Sequence, residues 1–316
     1  MSSGKILILR ALLSLVHHIK RAPRVTAWIT SLMVAAPLAG SSCLGGDLRV
    51  ATYNLRHFGV EPKDMNRLVR IFERLDADVV AVQEIRRTDR LEQLARELSG
   101  SRRSYRAVSS LCAGHREMHV GFLYDAKKVT LKETREFREL LPEEGSCSEG
   151  DRPGFLGIFQ VGGDQLHALV VHLKSGGSEE DFRQRRQQIE RLNRLTGLLR
   201  AQGAQRLVVL GDMNTTGYLD NTQGERDLLG TVARNHGLVV ATDGLRCTEY
   251  YRKNHHDAHP SLLDHALVSR AALVPFSTEV HEHCAKLRCA PQPVDSMPPS
   301  YTDISDHCPV TFRMTR

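Results

Sequence analysis

One ten-residue stretch, Arg206-Leu-Val-Val-Leu-Gly-Asp-Met-Asn-Thr215, constrains the fold more than any other. Leu207 to Leu210 form an apolar, β-branched run, the pattern of a fully buried strand. The run stops at Gly211, and Asp212 and Asn214 follow two residues apart. Side chains two apart in extended backbone share a face, so such a strand would end on a carboxylate and an amide side by side. Gly, Asp and Asn are also common turn residues. Taken alone, the segment reads equally well as a turn.

The rest of the chain repeats the pattern. Leu48 to Asn54 alternates as a strand and ends on Asn54. Met65, Leu68, Val69, Phe72 and Leu75 have helical spacing behind a cap at Asp64. Ala77 to Glu84 reads as a second buried strand ending in polar groups, and Leu91, Leu94 and Leu98 mark a second helix. His119–Tyr124, Phe155–Val161 and Gln165–His172 read as further strands, with an acidic loop over Phe137–Asp151. Glu179–Gln202 reads as a long amphipathic helix whose arginines, among them Arg183, Arg185, Arg186, Arg191 and Arg194, fit either a solvated face or phosphate contacts. Asp220–Gly237 reads as partly helical and Thr242–Pro260 as a polar loop. Leu262–Val268 is strand-like, His281–Tyr301 a Pro- and Cys-rich excursion, and Ser305–Phe312 a polar lead into a last strand. No repeat or linker divides residues 44–316, which read as one domain.

Charge narrows the partners. The chain carries 43 basic and 37 acidic side chains, a formal +6. Lys5, Arg10, Lys20, Arg21 and Arg24 lie in residues 1–43, which hold no acid; the remaining 38 basic groups nearly balance the 37 acidic ones. Any attraction to a polyanion must therefore come from local patches. Residues 1–43 read as an export signal: a basic region, an uncharged apolar stretch from Val25 to Gly40, then small residues before Cys43. The apolar stretch is short of the roughly 20 residues that span a bilayer. The Gly-Ser-Ser-Cys43 sequence resembles a bacterial lipoprotein cleavage site, with Gly40 where leucine is usual, which leaves export with or without a lipid anchor on Cys43 open, and an uncleaved anchor as the alternative. The expected location is secreted, periplasmic or lipid-anchored at the envelope.

Export favours disulfides for the six other cysteines, Cys112, Cys147, Cys247, Cys284, Cys289 and Cys308. Six cysteines allow 15 pairings; Cys112–Cys147 is the one expected here. No paired CxxC spacing points to zinc.

Together the polar strand ends are Asn54, Glu84, His172, Asp212, Asn214, Asp264, Asp306 and His307. Oxygen donors with two histidines, all at strand ends, suggest one shared cleft. An oxygen-rich set without clustered cysteines suits Mg²⁺ or Mn²⁺. His255, His256 and His259 lack a matching carboxylate spacing and read as a solvated loop.

The segments Ala51-Thr-Tyr-Asn54, Val82-Gln-Glu84, Val171-His-Leu-Lys174, Gly211-Asp-Met-Asn214, Leu263-Asp264 and Ser305-Asp-His307 resemble, in order, those of the endonuclease/exonuclease/phosphatase superfamily, the fold of deoxyribonuclease I. The resemblance implies an α/β four-layer αββα sandwich, two mixed sheets face to face with helices outside. It implies Glu84 as principal metal ligand, with Asn54 and Asp306 helping to hold the metal or its waters. Asp212 would orient or deprotonate water and Asn214 would donate to the phosphoryl group. His172, and His307 oriented by Asp264, would act at the scissile phosphate as acid, base or charge stabiliser. Lys174 is a candidate phosphate contact.

The substrate expected from this set is nucleic acid: an exported, Mg²⁺-dependent phosphodiesterase, foremost a nuclease cutting DNA and possible on RNA. A sphingomyelinase-like lipid phosphodiesterase is the alternative. It usually needs an exposed apolar hairpin, and the only Trp, Trp28, lies in the leader. A phosphatase on a soluble ester is a further alternative. A non-catalytic binding module on this fold would have lost metal ligands, and none is missing. No protein partner is implied.

Overall fold

The computed structural model describes residues 47–114, 117–141, 152–215, 222–252 and 254–315, all within one compact unit, Gly45–Arg316. The leader, Cys43 and Cys147 lie outside these residues. The chain runs β1 (Leu48–Phe58), α1 (Met65–Leu75), β2 (Val79–Ile85), α2 (Thr88–Glu97), β3 (Tyr105–Ser109), β4 (His119–Asp125) and β5 (Thr130–Phe137). It continues with β6 (Gly154–Val161), β7 (Asp164–His172), α3 (Glu179–Ala201), β8 (Arg206–Asp212), α4 (Thr222–Asn235) and β9 (Leu238–Val240). The last part holds β10 (Glu249–Arg252), β11 (Asp257–Ser261), β12 (Asp264–Ser269), β13 (Glu279–Val280), α5 (Glu282–Lys286), β14 (Gln292–Pro293), α6 (Pro299–Thr302) and β15 (Val310–Met314).

Two mixed six-stranded sheets form, ordered β13-β15-β1-β2-β4-β3 and β5-β6-β7-β8-β12-β9. Each contains one parallel pair joined by a helix, β1–α1–β2 in the first and β7–α3–β8 in the second. Strand alternation explains the layers. Val50, Val79, Ala81 and Phe122 of the first sheet meet Phe159, Val170, Leu210 and Ala266 of the second in one central core. On the outer face of the first sheet, Ala51, Tyr53 and Val80 pack against Leu68, Ile71 and Phe72 of α1 and Leu91 and Leu94 of α2. On the outer face of the second, Leu169, Val171 and Val209 pack against Ile189, Leu192 and Leu199 of α3 and Leu229 and Val232 of α4. This is the four-layer αββα sandwich.

Local chemistry fixes the helices. The Asp64 carboxylate accepts from Arg67 N at 2.9 Å, capping α1 as expected; such a cap contributes about 1 kcal/mol. Ser178 and Asp181 form a capping box at the start of α3. Arg185 is fully buried, its Nε 2.7 Å from Glu225 of α4 and its Nη1 bonded to the carbonyls of Lys174 and Gly176. It ties two helices and the loop after β7, and removing one partner of such a pair costs about 3–5 kcal/mol.

The segment read as a polar loop, Thr242–Pro260, instead contains β10 and most of β11, which with β14 form a third, three-stranded sheet. Their alternation is too short and too polar to register as a strand signal, and pairing supplies what propensity does not. A separate core of Tyr250, Ala258, Met297, Tyr301 and four cysteines holds this region. Cys247 is bonded to Cys289, and Cys284 to Cys308. Cys112 is also disulfide-bonded.

Candidate active site

The parallel strands of both sheets end at the same edge of the sandwich, and the polar residues gather there. The second sheet delivers its share by register alone. In β7, Leu166, Ala168 and Val170 face the central core, and His172 continues that face. Val208 and Leu210 do the same for Asp212 in β8, and Ala266 and Val268 for Asp264 in β12. His172 and Asp264 are the direct cross-strand partners of Asp212 on its two sides. Gly211 allows this close pairing: its φ is +138°, and a Cβ there would lie 2.0 Å from the carbonyl oxygen of Val171.

The first sheet works differently. Asn54 follows Val50 and Thr52 onto the inner face, but strict alternation would turn Glu84 outward, because Val79, Ala81 and Gln83 face inward. Between Val82 and Ile85, β2 carries one more residue than β4 opposite, a bulge, and Glu84 takes a left-handed conformation at φ 59°. Arg56 and His57 are also left-handed where β1 shifts register. The bulge swings the Glu84 carboxylate into the cleft, where His57 N donates to its Oε2 at 3.0 Å.

Asp212 is the hub. Its Oδ2 accepts from Asn54 Nδ2 at 2.9 Å and lies 3.3 Å from His172 Nε2 and 3.6 Å from His307 Nε2. Its Oδ1 accepts from Asn214 N at 3.0 Å. Asn54 Nδ2 also reaches Glu84 Oε1 at 3.1 Å, while its Oδ1 accepts from Arg56 N. His307 Nδ1 is 2.8 Å from Asp264 Oδ2. Ser305 Oγ donates to Asn54 O and accepts from His307 N, joining the last loop to β1. Thr248 Oγ1 accepts from Asp264 N.

The electrostatics follow from burial. Burial pushes Asp212 up to about 7, against the pull of His307 and Asn54 and with the help of Asp264 and Glu84. Burial disfavours a charged His307, but Asp264 and Asp212 outweigh it and hold its pKa well above the ordinary histidine value. Burial, reinforced by Arg152, His307 and His57, drives His172 well below that value, so it stays neutral.

A cavity of about 620 Å³ opens over these groups, lined by Glu84, His172, Lys174, Asp212, Asn214 and His307 of the expected set. Asn54 and Asp264 lie behind them, fully buried, holding Asp212 and His307. Asp306 stands apart: its carboxylate is 3.9 Å from Arg56 Nε, and it is not part of the cavity lining. Asn214, at φ 51°, lies past the end of β8 and donates to the Leu173 carbonyl at 3.1 Å. Lys174 is held 2.5 Å from Asp181, an ion pair that competes with any phosphate. His259 lies beside the Tyr251 ring, 6.0 Å between centroids, and belongs to no candidate metal-holding group among the described residues.

Sequence reasoning missed His57, Arg152, Glu249 and Tyr251, which also line the cavity. Glu249 and Tyr251 had a weak signal in the β-prone run Thr248–Tyr251. His57 enters through the β1 irregularity, which no local pattern announces.

A divalent cation fits the residues present. Glu84, His172 and Asp212 each offer a ligand atom within 4.8 Å of the others, and paired carboxylates suit a hard cation. Asp212, Asp264 and His307 form a second such grouping.

The fold has counterparts among known proteins. The mannosyl-6-phosphatase of Bacteroides thetaiotaomicron superposes with a TM-score of 0.57 at 18% identity, covering 85% of this chain and 100% of its own. The human Nocturnin catalytic domain with bound sulfate gives 0.56 at 18%, covering 85% and 94%. D. rerio TDP2 complexed with a single-strand DNA product gives 0.59 at 13%, covering 86% and 100%. At such identities the likeness is one of fold. No curated protein matches the sequence. The sequence pattern of the Endonuclease/Exonuclease/phosphatase family matches residues 51–307, from the strand bearing Asn54 to His307 itself, and the chain belongs to that family.

Proposed function

We propose that this protein is an exported, divalent-metal-dependent hydrolase of phosphate esters, with nucleic-acid phosphodiesters as its first substrate class. The observation that carries the reading is the convergence of Asn54, His172 and His307 on the one buried carboxylate of Asp212, beside Glu84.

Glu84 is the principal residue to hold Mg²⁺ or Mn²⁺, with Asp212 close by and Asn54 fixing both carboxylates. When bound, the cation supplies positive charge against the phosphate oxygens. Asp212, poised near 7, is suited to take a proton from the attacking water at its carboxylate. His307, kept protonated by Asp264, is suited to give a proton or positive charge to the phosphoryl group or leaving oxygen. Neutral His172 places its Nε2 beside Asp212 without adding charge. Asn214 lines the mouth, where its amide can meet a phosphoryl oxygen. Export is supported by the two disulfides that brace the end of the chain.

A second reading, hydrolysis of a soluble phosphate ester, is favoured by the fate of the basic residues. Lys174 is paired with Asp181, Arg183 with Glu180, Arg185 is buried, and Arg191 donates to the Leu141 carbonyl. Fewer cations on α3 are then left to track a polyanion.

The test is cleavage of supercoiled plasmid and of single-stranded RNA by the purified protein, with Mg²⁺, with chelator, and by Asp212→Ala. Metal-dependent cleavage lost in the variant supports the nuclease reading. Cleavage of neither, with turnover of small phosphate esters, moves the assignment to the second reading; no turnover of any ester defeats both.

A further inference from the structure

Strand β10 forms part of the cavity wall, and Glu249 and Tyr251, two apart on it, both line the cavity. Glu249 lies across an antiparallel bridge from His307. It is only 4% exposed, and its Oε2 is buried without a hydrogen-bond partner among the described residues. A polar atom buried in this way lowers stability, and an apolar side chain would fill the place without that penalty. Its position on the cavity wall offers it a partner when substrate is bound.

The chemistry of that partner can be narrowed. Glu249 belongs to neither of the ligand groupings at the site among the described residues, so a cation is not the natural candidate. An ionised carboxylate would repel a phosphate oxygen. A hydroxyl group, by contrast, can donate a hydrogen bond to the carboxyl oxygen Oε2 that has none. The half-buried Tyr251 ring beside it offers an apolar face of the kind that packs on a sugar or base.

We infer that Glu249 is a specificity-determining residue that hydrogen-bonds a hydroxyl on the alcohol portion of the phosphate ester, with Tyr251 as the packing surface beside it. The inference rests on the phosphate-ester reading and narrows it: esters of hydroxylated sugars, ribose included, are preferred over deoxy or alkyl esters. A site built around a buried hydroxyl contact discriminates strongly against an analogue that lacks it.

The test compares kcat/KM on two matched pairs with Mg²⁺: oligoribouridylate against oligodeoxyuridylate, and glucose 6-phosphate against cyclohexylmethyl phosphate. The expected result is a preference of about tenfold or more for the hydroxylated member of at least one pair. Which pair responds separates a nucleic-acid from a free-sugar source of the hydroxyl. Glu249→Leu should bring that ratio to near one, while Glu249→Gln, which keeps a donor and an acceptor, should retain most of it. Equal kcat/KM within both pairs for the native protein, or a ratio that survives Glu249→Leu, overturns the inference. If none of the four substrates turns over, calorimetric titration with the glucose and cyclohexyl esters still reads Glu249. A hydroxyl preference in affinity that Glu249→Leu abolishes keeps the assignment, and equal affinities remove it.

Discussion

In the second sheet, His172 and Asp212 end strands that keep their alternation to the last residue, Asp264 opens β12, and each meets Asp212 or is Asp212 by register. In the first sheet, Glu84 reaches the same cleft only because β2 bulges and leaves the β region. The regular side is fixed by the hydrogen-bond ladder on both flanks, which suits a hub whose distances to two imidazoles matter. The bulged side hangs its carboxylate on one irregular residue, which leaves more room to adjust, as an ion-holding group needs. Rigid register thus holds His172, Asp212 and Asp264, and a local break in register holds the candidate metal ligand Glu84.

The largest expected effect tests the regular side. Asp212→Ala should lower kcat/KM by about 10³-fold or more, because it removes the common partner of Asn54, His172 and His307. Excess Mg²⁺ should not restore it; restoration would mean that Asp212 serves mainly as a metal ligand and would erase the contrast between the sheets.

Glu84→Gln should cost less at saturating metal, about 10²-fold, and its deficit should shrink as Mg²⁺ rises, because the first effect is on ion affinity. Metal titrations of wild type and variant check this. A loss that is independent of metal concentration would place Glu84 with the proton-handling groups instead.

Next comes the disulfide-braced region behind His307. Cys308 follows His307 directly, and its partner Cys284 sits on α5, while Cys247 lies two residues before Glu249. Reduction should lower stability by about 2–4 kcal/mol per bridge, read as a lower melting temperature, together with a fall in kcat as His307 loses its support. An unchanged melting temperature in reductant would show that the sandwich alone fixes the site.

The smallest effect is one of pH. His307 binds its proton more tightly in the folded than in the unfolded chain, whose value is about 6.5. Its contribution to stability is therefore fully present below about pH 6.5 and is lost as pH rises through the raised folded pKa. Asp264→Asn removes the carboxylate that sustains the shift. In metal-free buffer, the melting-temperature advantage of the native protein over this variant should be greatest at acidic to neutral pH and shrink in alkali. An advantage that grows with pH would reverse the assignment of the charged histidine.

Much of this was legible in the chain. The inward face of each core strand could be read forward to its polar end, because a period of two does not change along a regular strand. Asn54, His172 and Asp212 were found this way, and Asp264, the first residue of β12, stands with them. Asp306 was expected as a metal-holding residue and instead lies beside Arg56, outside the cavity lining, since its loop is set by His283 and Tyr250, both bonded to its carbonyl. The arginines of α3 fit two readings by spacing alone; Arg185 took neither, because Glu225 and two loop carbonyls were waiting for it.

The sequence by itself determined the alternating and helical faces, and so the layers and the strand ends where chemistry gathers, because those depend on near-neighbour geometry. Only the tertiary structure decided that a bulge turns Glu84 inward, that Lys174 is paired with Asp181, and that Glu249 enters the cavity from a strand hidden in a polar segment. Those outcomes depend on pairing partners distant along the chain, and a residue's neighbours in sequence do not say which partner will satisfy it.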